Sequence, residues 1–219
     1  MGTKPFLDYL LIWLGSSGIS DVILCVGYKG WEIQEHVGTG KSWGLRVRYS
    51  IEKELLGTGG ALKQAEELIS CDSVFVVNGD TYLDVNLREM LEIHRLRQAL
   101  VTVAVACVGD MGRYGSLRLD GGSRITAFHE KRIRGESGGG DAPTRWINGG
   151  VYVLALEFLK MIPPARAISL EKEVLPDLVL SKRVFGFMTD GYFLDIGIPD
   201  DYNRAQTELP KRFCDSYPH

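Results

Sequence analysis

Hydrophobic positions along the chain follow two periods, and their alternation predicts a protein of strands and helices. Phe6–Leu14 carries apolar residues at helical spacing, and Gly18 follows as the residue that ends the helix. Val22–Val26 is a continuous apolar run, which predicts a buried strand. Residues 45–51 alternate apolar with polar side chains, and this period of two predicts a half-exposed strand.

The same alternation continues to about residue 108. We predict a helix near residues 61–68, a strand over Val74–Val77, a helix near 87–96 and a buried strand over 101–108. Strands and helices that alternate in this way are typical of βαβ units around a parallel sheet. Because Val74–Val77 is apolar throughout, we expect it to be a central strand of that sheet. The pattern predicts an α/β protein with a Rossmann-like three-layer fold and a mixed, mostly parallel sheet.

Beyond residue 108 the pattern is less regular. Short alternating strands flank the Asp120-Gly121-Gly122 turn, and residues 135–144 have the composition of a surface loop. Further strands are predicted over residues 151–154 and 184–187, with helices over 156–161 and 170–180. A last helix should begin at Pro199 and extend towards Thr207, because proline is favoured at the first helical position.

Two of the predicted strands end on an aspartate. Val74–Val77 leads into Asn78-Gly79-Asp80, and Asp195 lies within a similar segment, residues 192–197. Ligands of open α/β sheets bind outside the carboxyl ends of the strands. Two carboxylates at one edge of a sheet are suitable ligands for a hard cation, and we expect Mg²⁺ there.

Composition narrows the classes of function. The 219 residues are 45% hydrophobic and 24% charged, and the formal net charge is −3, which argues against a surface that coats nucleic acid. The four cysteines show no metal-binding spacing, so we expect them to be reduced. No secretory signal or stretch long enough to span a membrane is visible. We therefore expect a cytoplasmic protein with no nucleic-acid or membrane partner, and a homo-oligomer is possible.

Seven short segments occur in one order along the chain. They are Gly57–Leu62, Asn78–Asp80, Arg113–Gly115, Phe128–Lys131, Asn148–Tyr152, Leu170–Glu171 and Asp195–Pro199. In this order the chain resembles the sugar-1-phosphate nucleotidylyltransferases, over nearly its whole length. Its spacing most resembles that of the short heptose-1-phosphate and mannose-1-phosphate guanylyltransferases. The resemblance implies Mg²⁺-dependent transfer of a nucleotidyl group from a nucleoside triphosphate to a sugar 1-phosphate, for precursors of lipopolysaccharide or capsule.

The resemblance also implies a role for individual residues. Asp80 and Asp195 would hold Mg²⁺, and Lys131 would hold the sugar phosphate, so these three form the expected catalytic set. The expected sugar-phosphate contacts are Gly115, Glu130, Lys131, Asn148 and Glu171, and the expected nucleotide contacts are Gly57, Thr58 and Gly59, together with Glu52. Residues 1–108 would then form a nucleotide-binding part, and residues 109–219 a sugar-phosphate-binding part of the same domain.

The reaction itself requires these residue types. Two anionic substrates must be brought together, and a metal ion and a lysine neutralise their charge and align them. Each residue also has a simpler explanation. Asp80 and Asp195 could be ordinary residues at strand ends, and Lys131 could belong to a solvated run of charges. Glu171 could serve only the first turn of a helix that Ser169 caps, and we weigh this equally with a sugar contact.

Glu52 is the residue from which we predict the base. It lies five residues before Gly57, where thymidylyl- and uridylyl-transferring relatives carry a glutamine. A carboxylate only accepts hydrogen bonds, and guanine presents an N1–H and an N2 amino group on one edge. We therefore predict GTP as the nucleotide.

The chain departs from the family at its start. The family opens with a strand and a Gly-Gly-x-Gly-Thr-Arg loop that holds the triphosphate, and nothing here matches them. Residues 1–6 align instead with a later Gly-Lys-Pro, so Lys4 is not expected to be catalytic. We therefore expect the nucleotide-binding part to lack its first strand. Three explanations stay open: a misplaced or shortened start, a non-catalytic binder of nucleotide-sugars or regulatory homologue, or a strand supplied by a partner chain.

Overall fold

The secondary structure is described by a computed structural model over residues 4–108, 116–129, 146–164 and 166–216. The α-helices are α1 (Phe6–Ser16), α2 (Gly30–Val37), α3 (Gly57–Ala65), α4 (Leu87–Leu96), α5 (Leu156–Met161), α6 (Leu175–Leu178) and α7 (Pro199–Ser216). The strands are β1 (Asp21–Val26), β2 (Arg46–Ile51), β3 (Ser73–Val77), β4 (Thr81–Leu83), β5 (Val101–Cys107), β6 (Ser116–Leu119), β7 (Ile125–His129), β8 (Trp146–Ala155), β9 (Val184–Thr189) and β10 (Phe193–Asp195). A π-helical turn, Leu170–Val174, precedes α6.

The chain divides into two compact units, and each combines separate stretches of sequence. The first unit contains the described residues up to 55, residues 78–82 and those from 193 onwards. The second unit contains residues 56–77 and the described residues of 83–192. The predicted division at residue 108 concerns ligand contacts, and it stays a prediction.

The first unit packs helices around a parallel pair of strands. β1 and β2 run parallel, from Asp21 beside Arg46 to Val26 beside Ile51. One apolar cluster is centred on Leu11, Val37, Leu45 and Val47. Edge-to-face aromatic contacts link α7 with α1 and with β4. The ring centroids of Phe213 and Tyr9 are 5.0 Å apart, and those of Phe213 and Tyr82 are 5.3 Å apart. Such pairs add stability beyond the apolar area that they bury.

The second unit contains a six-stranded mixed sheet. Its order is β7-β6-β8-β5-β9, and β3 also pairs with β8. Within the described part of the chain, β5–β9 and β1–β2 are parallel pairs, whereas β3–β8, β5–β8, β6–β7 and β6–β8 are antiparallel. The mixed α/β class is confirmed, but the described pairs do not have the expected parallel majority.

The expectation that Val74–Val77 is a central strand of a parallel sheet is wrong. β3 pairs antiparallel with β8, and β5 pairs antiparallel with the other side of β8. β3 and β5 therefore run in the same direction, as a βαβ connection through α4 requires. The strand between them, however, is β8, which begins about 70 residues after the end of β3. The local alternation of elements could not reveal this pairing.

Most other predicted elements are present, and the differences have physical causes. α2 was not predicted, and α3 begins at Gly57 rather than near residue 61. α7 begins at Pro199 as predicted, but it continues through Pro210 to Ser216. Leu209 and Phe213 are buried on either side of that proline, and this packing outweighs the lost backbone hydrogen bond. Within the residues described above, no helix is both long and apolar enough to cross a lipid bilayer.

Candidate functional site

Asp80 and Asp195 lie on adjoining strands of the first unit. Asp80 immediately precedes β4, Asp195 ends β10, and the two strands pair. The N–H of Ile196 donates to the carbonyl oxygen of Asp80 at 2.9 Å, so the backbone places the two aspartates side by side. The predicted metal ligands are thus adjacent although 115 residues separate them in the sequence.

Each of these carboxylates is oriented by its own turn. The Oδ1 atom of Asp195 accepts the N–H of Gly197 at 2.7 Å, and Thr81 donates to Oδ1 of Asp80 at 3.2 Å. A Cβ atom on Gly197 would lie 2.9 Å from that Asp195 oxygen, so a side chain at this position would displace the carboxylate. Among the described residues there is no group of three or more His, Cys, Asp or Glu side chains that could hold a metal. Two carboxylates fit Mg²⁺, which commonly takes one or two from the protein and its other ligands from phosphate and water.

Glu52 follows β2 in the first unit, beside the end of β1. Its N–H donates to the carbonyl oxygen of Val26 at 2.8 Å. A Cβ atom on Gly27 would lie 3.8 Å from Cβ of Glu52, so the side chain begins beside the β1 end. Burial, with a smaller contribution from the Glu52 carboxylate, raises the pKa of the Cys25 thiol to about 11. Glu52 therefore lies at the carboxyl ends of two parallel strands, where ligands of α/β proteins bind.

The glycines of residues 57–60 form the first turn of α3 in the second unit, and they pack against the chain at residues 166–170. Gly57 has φ +68°, and a Cβ atom there would lie 2.7 Å from the carbonyl oxygen of Ile168. The N–H of Gly59 donates to the same oxygen at 2.9 Å, and the N–H of Ile168 donates to Leu56 at 2.8 Å. These glycines are therefore required for close packing within the protein. The predicted nucleotide contacts of Gly57 and Gly59 stay predictions.

Glu171 accepts hydrogen bonds from three hydroxyl groups of the second unit. Thr58 donates to its Oε2 atom at 2.6 Å, and Ser169 donates to the same oxygen at 3.2 Å. Tyr152 donates to Oε1 at 3.2 Å. Ser169 also accepts the N–H of Lys172, so it caps the helix as predicted. Glu171 lies in the π-helical turn, a conformation that is frequent at functional sites.

These bonds fix the orientation of Asn148. Because a carboxylate only accepts, the Tyr152 hydroxyl donates its proton to Glu171 and accepts from Nδ2 of Asn148 at 2.7 Å. The N–H of Gly150 donates to Oδ1 of Asn148 at 3.1 Å, which agrees with this orientation of the amide. Two predicted sugar contacts, Asn148 and Glu171, are thereby connected through a buried tyrosine to which the sequence analysis gave no role.

The remaining predicted residues cannot be placed in the same way. Gly115, Glu130 and Lys131 lie outside the described residues, as does the predicted loop 135–144. Of the rest, Glu52, Asp80 and Asp195 belong to the first unit, whereas Gly57, Thr58, Gly59, Asn148 and Glu171 belong to the second. A cavity of about 370 Å³ in the second unit is lined by other residues, among them Asn86, Trp146 and Met188. The described residues that line this cavity include none of the predicted site residues.

Sequence comparison places the chain among known proteins. The profile of the family described as NTP_transferase, nucleotidyl transferase, matches residues 1–212. The chain is 40% identical over 206 residues to the D-glycero-alpha-D-manno-heptose 1-phosphate guanylyltransferase of Aneurinibacillus thermoaerophilus, covering 94% of this chain and 85% of that protein. It is 33% identical to the mannose-1-phosphate guanylyltransferase of Mycobacterium tuberculosis, over 97% of this chain and 58% of that protein.

Solved structures show the same fold. HddC from Yersinia pseudotuberculosis matches with a TM-score of 0.82 and 32% identity, covering 96% of this chain and 87% of that one. A second crystal structure of HddC, complexed with GMP-PN, matches with a TM-score of 0.80, covering 95% and 87%. A protein described as a putative glucose-1-phosphate thymidylyltransferase from Bacillus anthracis matches at 0.79, covering 95% and 83%, and at 19% identity it supports the fold alone.

Proposed function

Because the chain belongs to the nucleotidyl transferase family, we propose that it joins GTP and a heptose or mannose 1-phosphate to give a GDP-sugar and pyrophosphate. The observation that carries this proposal is the 40% identity to a heptose 1-phosphate guanylyltransferase across 94% of the chain. The HddC complex with GMP-PN supports the choice of a guanine nucleotide.

The proposed reaction is a single displacement. An oxygen of the sugar phosphate attacks the α-phosphorus of the nucleotide in line, a new P–O bond forms, and the bond to pyrophosphate breaks. Asp80 and Asp195 would hold Mg²⁺, which when bound neutralises phosphate charge and orients the phosphate oxygens. Asn148 and Glu171 would bind the sugar in the orientation that their hydrogen bonds fix, and Lys131 would hold its phosphate. Orientation and charge neutralisation account for most of the rate enhancement in such transfers.

Glu52 would distinguish guanine from the pyrimidines. Its carboxylate can accept from N1–H and the N2 amino group of guanine together. Uracil and thymine present one N–H between two carbonyl oxygens, which a carboxylate repels. A carboxylate placed to accept from two donors discriminates by a large factor against a base that leaves the carboxylate unpaired. The reason is that a buried charge without a partner is costly.

The proposed reaction is tested by pyrophosphate release. We expect the highest kcat/KM with GTP when GTP, ATP, UTP, CTP and dTTP are each assayed with heptose, mannose and glucose 1-phosphates and Mg²⁺. Higher activity with UTP or dTTP than with GTP would overturn the guanine assignment. Binding of GTP and sugar phosphate without pyrophosphate release would favour the non-catalytic homologue over the enzyme. Omission of Mg²⁺ should abolish release.

A Glu52→Gln variant tests the role of this residue in base selection. We expect the ratio of kcat/KM for GTP to that for UTP to fall at least about tenfold, because glutamine replaces one acceptor with a donor. Glu54→Gln, which changes an exposed carboxylate of the same segment, is the matched control and should leave the ratio unchanged. Circular dichroism and urea unfolding that match the parent would show that the Glu52→Gln variant keeps its arrangement. An unchanged ratio with this intact arrangement would contradict the assignment.

The cellular context follows from the proposed chemistry. Nucleotide-sugars are the donors from which glycans such as lipopolysaccharide or capsule are built, and we propose that the product serves such a pathway. GTP and sugar phosphates are cytoplasmic metabolites, so we propose the cytoplasm as the location. A homo-oligomer is compatible with this function, and size-exclusion chromatography with light scattering tests it.

A further inference from the structure

Thr58 lies in the segment predicted to bind the nucleotide, but its hydroxyl group is used within the protein. It donates to Oε2 of Glu171 at 2.6 Å, and it accepts the N–H of Leu170 at 2.8 Å. A hydroxyl carries a single proton, so the bond to Glu171 uses the proton of Thr58. A bond to a carboxylate is also stronger than one between neutral groups.

The backbone around Thr58 is held against the same segment. Gly59 and Gly60 both direct their N–H groups at the carbonyl oxygen of Ile168, at 2.9 and 3.3 Å. The N–H of Ile168 in turn donates to Leu56 at 2.8 Å. Residues 56–60 and 166–171 therefore form one hydrogen-bonded clasp, whose side-chain component is the Thr58–Glu171 bond. A shift of either segment moves the other, because short hydrogen bonds tolerate little displacement.

We propose that Thr58 is a positioning residue that holds Glu171 for the sugar 1-phosphate, rather than a ligand of the nucleotide. The inference rests on the proposed function for the identity of the ligand. Thr58 holds Glu171 from one side and Tyr152 holds it from the other, at Oε1. The clasp thus links the glycine segment predicted to contact the base with the carboxylate predicted to contact the sugar. Loss of the Thr58 hydroxyl removes the shorter of the two hydrogen bonds to Oε2 and leaves only the 3.2 Å bond from Ser169, so the defect falls on sugar 1-phosphate binding.

The test is a comparison of Thr58→Val with Thr58→Ser in the full chain. Valine keeps the shape of threonine without the hydroxyl, and serine keeps the hydroxyl. We expect Thr58→Val to raise the KM for sugar 1-phosphate five- to tenfold, with the KM for GTP and kcat within twofold of the parent. Thr58→Ser should stay within twofold in all three. Thr126→Val, which removes an exposed hydroxyl elsewhere in the second unit, is the matched control.

A double substitution separates positioning from direct binding. In a Glu171→Ala background, the Thr58→Val change should have no further effect on the KM for sugar 1-phosphate, because its bonding partner is gone. Independent effects of the two changes would overturn the proposal. So would a Thr58→Val variant in which the KM for GTP rises and the KM for sugar 1-phosphate does not.

A stability measurement keeps this inference testable apart from the proposed function. If the parent chain neither binds nor turns over any nucleotide and sugar phosphate, the proposed function fails. The clasp is still examined by urea unfolding of Thr58→Val, Glu171→Ala and the double variant. Effects on the free energy of unfolding that do not add would support the bond between the two side chains in solution. Effects that add would overturn the clasp whatever the activity.

Discussion

The charge of Glu171 determines the direction of every hydrogen bond around it. Three hydroxyl groups donate to it, and the tyrosine among them must therefore accept from Asn148. The two explanations that the sequence left equal are thus compatible. Ser169 caps the helix, and Glu171 is held in a network that reaches a second predicted sugar contact. The family resemblance identified Glu171 and Asn148 as candidates. It gave no role to Tyr152, although this residue lies in the same motif segment as Asn148, and that role arises only where β8 meets the π-helical turn.

The aspartate pair gives the sharpest prediction for single residues. Asp80→Asn and Asp195→Asn should each lower kcat/KM by about a hundred- to a thousandfold or more, because an amide is a poor ligand for a hard cation. Circular dichroism should be unchanged, and a higher concentration of Mg²⁺ should restore part of the activity. Asp200→Asn, at an exposed position of the same unit, is the control and should retain activity. Near-normal activity in either test variant would contradict the metal assignment.

The start of α3 shows what periodicity can and cannot predict about an element. The sequence pattern predicted the helix, but three of the four residues in its first turn are glycines, which ordinarily disfavour a helix. Gly57, Gly59 and Gly60 are accepted there because the chain at 166–170 approaches too closely for a side chain. The sequence suggested a ligand as the reason for these glycines. The approaching group in the structure is another backbone segment of the protein, which lies over 100 residues away and which local patterns do not encode.

Substitution of Gly57 tests this packing. Gly57→Ala should lower the free energy of unfolding by about 2–4 kcal/mol, because it adds strain at positive φ to a clash with Ile168. Gly18→Ala also places alanine at positive φ but in open space, so it should cost only about 1 kcal/mol. Gly121→Ala, at an open position without positive φ, should have little effect. Urea denaturation measures all three, and equal costs for Gly57 and Gly18 would contradict the packing explanation.

At the scale of the whole molecule, the sequence predicted the class of fold better than its connections. The alternation of strands and helices predicted that β3 and β5 run in the same direction, but not that β8 lies between them. The predicted strand ends pointed to the two aspartates, but no pattern predicted the division into two units. Pairings between distant stretches leave no periodic trace, because periodicity reports only which face of an element is buried. Packing of elements against one another also buries groups whose ionisation then affects the stability of a large part of the chain.

His94 is such a group, and it makes the stability of the second unit depend on pH. It is 2% exposed and its Nδ1 lies 2.9 Å from the Thr102 hydroxyl, so α4 and β5 enclose it. Burial, and to a lesser degree Arg95 and Arg183, lowers its pKa to about 4. The unfolded chain, with a pKa near 6.5, therefore takes up the proton first as the pH falls. Stability is lost from about pH 6.5 down towards pH 4 and is unaffected above that range.

The expected loss from this histidine between pH 7.5 and 5.0 is about 2 kcal/mol. Urea unfolding at the two pH values measures it, and His94→Gln removes the titrating group. The decrease on acidification should be smaller in the variant by that amount, whatever its own stability. Equal decreases in the two proteins would contradict the burial of an uncharged His94.

The first unit is completed by residues from both ends of the chain, which has a consequence for biosynthesis. Residues 6–55 are synthesised first, but Phe213, which packs against Tyr9, and Asp195, which adjoins Asp80, follow only after the residues of the second unit. Domains generally fold during synthesis from the N-terminal side, and contacts of long sequence separation form slowly. The core of the nascent first unit therefore stays open until the described residues from 193 onwards have been synthesised. A chain released before residue 193 lacks one aspartate of the pair and the helix α7 that packs against α1.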